Sequence, residues 1–121
     1  MQMKKTLIIG ASTNPERYSY KAANMLSRYG HPIINVGLKK GEVAGQPIEP
    51  ATTIYNDIDT VTMYMGAQNQ KPLYDYILQL HPKRIIFNPG AENAELQQLA
   101  ESKGVVVENA CTLVLLSTGQ Y

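Results

Sequence analysis

Thr6-Leu7-Ile8-Ile9-Gly10-Ala11-Ser12, followed by Asn14-Pro15 and then Ser19, decides how the rest of the chain is read. A short apolar run, a tight glycine turn and a small hydroxyl residue ahead of a helix start describe a strand that delivers its end to a phosphate. The first backbone N–H groups of a helix lack intrahelical partners, and the helix dipole adds partial positive charge, so an anion is favoured there. The chain thus opens as a nucleotide-binding βαβ unit. It departs from the dinucleotide fingerprint G-x-G-x-x-G, because Ser12 and Pro15 stand where the second and third glycines belong.

Outward from this unit, strands and helices alternate. Lys5 to Ile9 is a continuous apolar strand of the kind buried on both faces of a parallel sheet. Ser19 is placed to cap a helix whose Ala22, Leu26 and Tyr29 share one face, and Gly30 ends it. Pro32 to Val36 is the second strand. The Gly-rich segment from Gly37 to Ile48 reads as a loop over the binding edge. In Thr60 to Met65, Val61, Met63 and Met65 fall on one face and Thr62 and Tyr64 on the other. A helix with Pro72 in its first turn follows, with Leu73, Tyr76, Ile77 and Leu80 facing inward. Arg84 to Phe87 is a strand, Asn88-Pro89-Gly90 a turn, and Asn93 the cap of a helix buried through Leu96, Leu99 and Ala100 and closed by Gly104. Val105 to Glu108 is the last clear strand, while Thr112 to Ser117 fits a short helix or another strand. The expected architecture is α/β: a Rossmann-like, doubly wound parallel sheet of about five strands in three layers, one domain over residues 1–121.

Composition narrows the partners. Eleven Lys and Arg against ten Asp and Glu leave a net charge of +1, which gives no electrostatic reason to expect nucleic acid or an anionic membrane. Apolar runs reach only about four or five residues, far below the ~20 that span a bilayer. The basic start Met3-Lys4-Lys5 is followed by no secretory apolar region, and the lone Cys111 fits a reducing compartment, so the expected location is cytoplasmic.

In such a sheet the ligand lies beyond the carboxyl ends of the strands. Those ends are Gly10-Ala11-Ser12, Val36-Gly37-Leu38-Lys39-Lys40, Met65-Gly66, Asn88-Pro89-Gly90 and Asn109-Ala110-Cys111. His31 and His81 each follow a helix and precede a proline and a strand, which puts both at the opposite edge, away from any general-base role. An NAD site wants an acid after the second strand to accept from the ribose 2′-hydroxyl, and Lys39-Lys40 stand near there instead. Two ammonium groups suit a ligand with an extra phosphate on that sugar, either NADP or coenzyme A; solvated loop charge is the plainer reading.

The pattern Gly10-Ala11-Ser12, then Pro15, Arg17 and Ser19, then Glu42-Val43-Ala44-Gly45, then Asn109-Ala110-Cys111, resembles the family of small stand-alone CoA-binding proteins. The resemblance covers nearly the whole chain. That family is similar in turn to the nucleotide-binding domain of the succinyl-CoA synthetase α-subunit and of ADP-forming acyl-CoA synthetases. What it implies is a Rossmann-like fold that binds CoA, or an acyl-CoA, through the adenosine diphosphate part. Gly10, Ser12 and Ser19 match the family's phosphate-side motif, and Gly45 its adenine-side loop. Two departures stand out: Val36-Gly37 replaces the usual Asn-Pro or Thr-Pro, and Pro89-Gly90 follows Asn88 where Gln-x-Gly is common.

Each candidate also has a structural reading. Ser12 and Ser19 serve as caps when no phosphate is present, Arg17 as a surface residue, Tyr64 as packing under a helix rather than a stack on adenine, and Gly90 as a turn residue. Cys111, beside a helix start, could meet the pantetheine thiol in a mixed disulfide, although burial is the common fate of a lone cysteine. The sequence shows no metal-binding spacing, no nucleophile–His–acid order and no histidine at the crevice to carry phosphate, so the expected activity is non-catalytic CoA binding by a sensor, carrier or accessory subunit. Its partner would be a larger protein or a second copy. The competing expectations are an NADP-dependent reductase completed by another chain and an interaction module that has lost its ligand.

Overall fold

The computed structural model describes residues 2–121. Eleven elements follow one another: β1 (Thr6–Ile9), α1 (Tyr18–Arg28), β2 (Ile33–Val36), β3 (Glu42–Val43), β4 (Gln46–Glu49), β5 (Thr60–Met63), α2 (Tyr74–Gln79), β6 (Arg84–Phe87), α3 (Ala94–Ser102), β7 (Val106–Asn109) and α4 (Thr112–Ser117), with short 3-10 turns at Ala67–Asn69 and Lys71–Leu73. The strands form one seven-stranded sheet in the order β3-β4-β2-β1-β5-β6-β7. All neighbours are parallel except β3 and β4. The fold is thus Rossmann-like α/β, and the chain leaves β1 for β2 on one side and returns to β5 on the other. That reversal makes β1/β5 the topological switch point.

β1 shows why the parallel core forms. All four of its residues are buried, with Leu7 and Ile9 joining the cluster that holds Val61, Ile77, Phe87, Leu96 and Ala100, and Ile8 joining Ala23, Leu26, Ile86 and Leu116. Period-two alternation therefore feeds two apolar layers, with α2 and α3 on one face and α1 and α4 on the other. Among the described residues no helix is long and apolar enough to cross a membrane.

Three sequence expectations need correction, and a fourth, left open between helix and strand, is decided. The segment 37–48 contains a β-hairpin: Val43 and Gln46 pair across Ala44 and Gly45, whose φ values of 52° and 80° make the two-residue turn that matches strand twist. This hairpin adds β3 and β4 to the expected five strands. Ser19 does not cap α1, because the helix begins at Tyr18 and Arg17 holds the cap position without a side-chain hydrogen bond. Tyr29 and Leu99 lie outward, 41% and 39% exposed, since Tyr29 falls past the end of α1 and the α3 stripe is carried by Leu96 and Ala100. The apolar run 112–117 is a helix. Its first amide, from Thr112, donates to the Asn88 Oδ1 at the end of β6, a partner remote in sequence.

Candidate nucleotide cleft

At the switch point the β1 and β5 backbones approach so closely that side chains are excluded. Gly10 turns with φ +90°, and a Cβ there would run into the Tyr64 carbonyl oxygen, with the Tyr64 carbonyl carbon at 3.0 Å. Gly37 is held for a related reason: its Cβ would stand 2.5 Å from the Ala11 carbonyl oxygen. The Gly10 and Ala11 amides both donate to the Val36 carbonyl, at 3.0 and 2.9 Å, which locks the turn after β1 to the end of β2. Sequence reading took Val36-Gly37 as a departure from the family pattern. The geometry gives the reason: only the smallest residue fits under the β1 turn.

The chain between this turn and α1 is held by its own side chains. The Asn14 amide donates to Ser12 Oγ (3.1 Å), the Glu16 amide to Asn14 Oδ1 (3.0 Å) and the Arg17 amide to the Asn14 carbonyl (3.0 Å). Lys21 is the first residue whose amide closes a helical bond, onto the Arg17 carbonyl. The amides of Tyr18, Ser19 and Tyr20 therefore stand at an uncapped helix N-terminus, and among the described residues they meet no protein acceptor. The Ser12 hydroxyl, having accepted one hydrogen bond, retains its proton for donation.

These groups border a cleft of about 790 Å³. Its walls are Gly10 to Thr13 and Glu16 to Ser19 from the β1–α1 turn, Val36 to Lys39 after β2, Ile48, Pro50 and Ala51 after β4, Tyr64 to Gly66 after β5, and Leu73 with Pro89 to Ala91. Sites that enclose small-molecule ligands fall in the range of roughly 300–1,000 Å³. Its lining includes the polar side chains of Ser12, Arg17, Ser19 and Lys39 and the apolar ones of Ile48, Ala51, Met65 and Leu73.

The structure brings together most of the residues singled out in the sequence. Gly10, Ala11, Ser12, Arg17, Ser19, Val36, Lys39, Tyr64, Met65, Pro89 and Gly90 all line the cleft. Lys40, Gly45, Asn88, Asn109 and Cys111 do not. Gly45 sits exposed at the β3–β4 turn, Asn109 is exposed at the end of β7, and Cys111 is half-buried at the start of α4. Asn88 is buried and braces the interior: its amide donates to Thr62 Oγ1 (2.7 Å) and the Met63 carbonyl (2.8 Å) while Oδ1 accepts from Thr112. The Tyr64 hydroxyl is buried with no hydrogen-bond partner among the described residues, and burial pushes its pKa up. His31 lies at the other end of the strands, where Nδ1 accepts from the Lys4 amide at 2.9 Å.

Sequence reading missed the β4 wall, Ile48 to Ala51, because the hairpin that carries it was taken for a loop; the Ala44-Gly45 pair between two short runs was the available signal. It also missed Gln70. This fully buried amide donates to the Met65 carbonyl (2.7 Å) and the Ala91 carbonyl (2.8 Å), tying together two loops of the cleft wall, and accepts from Asn93 (2.9 Å).

With this geometry in place, comparison with known proteins is decisive for the family. A family model described as "CoA binding domain" matches residues 4–117. The chain belongs to that family. This CoA-binding domain is also similar to a solved structure described as an uncharacterized protein, at 49% identity over 100% of both chains with a TM-score of 0.97. A hypothetical protein from Pyrococcus horikoshii OT3 shares 23% identity over 97% of this chain and 84% of that one, with a TM-score of 0.88. The cell-free ID.343 protein from Thermus thermophilus shares 17% identity over 98% of this chain and 91% of that one, with a TM-score of 0.84. At such identities the last two likenesses speak for the fold alone. No curated protein matches the chain.

Proposed function

We propose that this domain binds coenzyme A through its 3′-phospho-ADP half, as a binding protein rather than a catalyst. The observation that carries the reading is the uncapped N-terminus of α1 opening onto the cleft at the switch point. In this assignment the diphosphate takes hydrogen bonds from Ser12, Ser19 and the first amides of α1, with Arg17 at its flank. The adenosine lies toward Val36, Ile48 and Ala51, and Lys39 meets the sugar-borne phosphate. Lys40, which is off the cleft wall, has no part in it. Family membership supports CoA as the ligand class. The place of His31 at the opposite end of the strands supports binding over proton transfer at this site.

Thermal unfolding with CoA, acetyl-CoA, dephospho-CoA, NADPH and ATP tests the reading. A ligand that binds only the folded state at a hundredfold excess over its Kd stabilises by about 2.7 kcal/mol. CoA is expected to outdo dephospho-CoA, the preference to vanish in Lys39→Ala and to survive in Lys40→Ala. A larger shift with NADPH than with CoA would hand the site to a reductase, and no shift with any nucleotide would leave an interaction module. Comparing CoA with acetyl-CoA assigns the thiol end: equal shifts mean that the acyl group projects from the site.

A further inference from the structure

The near-zero net charge conceals a sorting of charge between the two helical layers. On one face, α1 (YSYKAANMLSR) and α4 (TLVLLS) hold Lys21 and Arg28 and not one acidic residue; on the other, α2 (YDYILQ) and α3 (AELQQLAES) hold Asp75, Glu95 and Glu101 and not one Lys or Arg. Between α1 and α4 runs an open groove of about 580 Å³, with Met25, Leu113, Val114 and Tyr20 as its apolar floor and sides and Lys21 and Arg28 among its lining residues. Val114 is 55% exposed, and the adjacent Tyr18 is 66% exposed. Among the described residues neither Lys21 nor Arg28 forms an ion pair, since the one salt bridge joins Arg84 to Glu108. The seven-residue spacing of the two cations puts them two helical turns apart, roughly 10 Å.

We propose that this groove docks an acidic amphipathic helix of another protein, whose apolar side chains seat on Met25 and Val114 while its carboxylates meet Lys21 and Arg28. The groove is separate from the cleft, and the proposal stands whether or not coenzyme A is the ligand there. Charge complementarity selects the occupant: Lys21, whose ammonium lies 5.1 Å from the Tyr18 ring centre, and Arg28 have no carboxylate partner among the described residues, and two such cations beside apolar surface disfavour a basic segment and favour one that alternates leucine-like and acidic positions. A second copy placed groove to groove would set Lys21 and Arg28 against the same two cations, and its helix-borne acids, Asp75, Glu95 and Glu101, lie on the α2/α3 layer, the opposite face of the molecule. Docking onto those acids is heterologous and builds a ring or an open filament, which a discrete partner avoids. Two cations are also too few for an anionic bilayer, where each contributes only about 1 kcal/mol and firm attachment takes a larger cluster.

The test uses the whole protein and a fluorescein-labelled synthetic helix with leucines along one face and glutamates elsewhere, followed by anisotropy and by amide chemical shifts. Saturable binding with shifts confined to α1 and α4 is expected, with Kd on the order of 10–100 μM for so small a surface. Lys21→Glu with Arg28→Glu should weaken it at least tenfold, and a lysine-for-glutamate version of the peptide should regain binding to that variant. Both positions are exposed, and an unchanged unfolding midpoint verifies that the variant is folded. Val114→Asp should likewise weaken the acidic peptide several-fold. Four results would each overturn the proposal: no binding by the wild type at about 1 mM peptide, equal binding by the double variant, sedimentation of the wild type with phosphatidylglycerol vesicles that the double variant loses, or self-association that buries the groove.

Discussion

Gly10 concentrates two constraints in one position, a left-handed φ of +90° and a Tyr64 carbonyl in the space where any side chain would begin. The two carry separate costs, roughly 1–3 kcal/mol for backbone strain and a similar amount for overpacking. Gly10→Ala is accordingly expected to lose about 2–4 kcal/mol of stability in urea unfolding and to perturb the cleft that Gly10 lines; a loss under about 0.5 kcal/mol would mean that the β1 and β5 ends can separate. His31 is a second residue whose environment sets a measurable property. It is buried, its Nδ1 accepts from the Lys4 amide, its Nε2 has no partner among the described residues, and its ring lies against Tyr121. Burial first, then the Lys4 and Arg84 charges, hold its pKa below the ordinary 6.5. The folded state therefore binds a proton less readily than the unfolded chain, so the stability carried by neutral His31 is present above pH 6.5 and declines as the pH falls below it. A melting temperature that drops between neutral and mildly acid pH, with a shallower drop in His31→Gln, is the expected record. Identical profiles for the two proteins would remove His31 from the account.

Among the elements, α3 and α4 show two ways of starting a helix. α3 has a cap written locally, since Asn93 Oδ1 accepts from the Leu96 amide at 3.1 Å. The same residue reaches further: its amide nitrogen donates to Gln70 Oε1 (2.9 Å) and to the Tyr74 hydroxyl (2.8 Å), and Gln70 holds both the Met65 and Ala91 carbonyls. As a simple cap, Asn93→Asp would be nearly neutral, because both residues are good caps. With the network present, a carboxylate oxygen faces the Gln70 oxygen in a buried site, and a loss of at least about 1 kcal/mol is expected. Equal unfolding midpoints for the two proteins would show that the cap is all that Asn93 provides. In α4 the Thr112 amide is met by Asn88, just after β6, and the Thr112 and Thr62 hydroxyls bond at 2.8 Å. No local feature of Thr112 to Ser117 carries that information, which is why its periodicity fitted helix and strand alike.

Over the whole molecule, the sheet runs its polar chemistry to one end and its packing closure to the other. The cleft opens at the carboxyl ends of the strands, while at the opposite ends Tyr121 fills the space between His31, Arg84 and Thr6, with the Arg84 guanidinium 4.5 Å from its ring centre. The candidate cleft and the acid-sensitive His31 therefore lie at opposite edges, and the proposed ligand binding should be separable from the pH response. His31→Gln is expected to leave the CoA-induced stabilisation at neutral pH unchanged while altering the pH profile, as calorimetry at two pH values would read.

Much of this was written in the order of residues. Alternating apolar runs and helix stripes, the glycine after β1 and the proline–glycine turns specify an α/β chain with parallel strands, and the rule that ligands gather at strand ends then points to Gly10, Ser12 and Lys39, which line the cleft, and equally to Lys40, Asn109 and Cys111, which do not. Those signals are local, acting over a turn or a strand, so a single sequence displays them. Contacts between distant segments decided the rest. Asn35, buried in β2, donates to the Val43 and Gln46 carbonyls at 3.0 and 3.1 Å and so fastens the hairpin, with its Ile48–Ala51 wall, to the sheet. Asn88 fixes α4 as a helix, Gln70 joins two loops of the cleft, and the pairing of α1 with α4 leaves a basic groove that neither helix shows alone. A buried amide is committed by whichever carbonyls the fold brings within about 3 Å of it, and that choice exists only once the chain has closed.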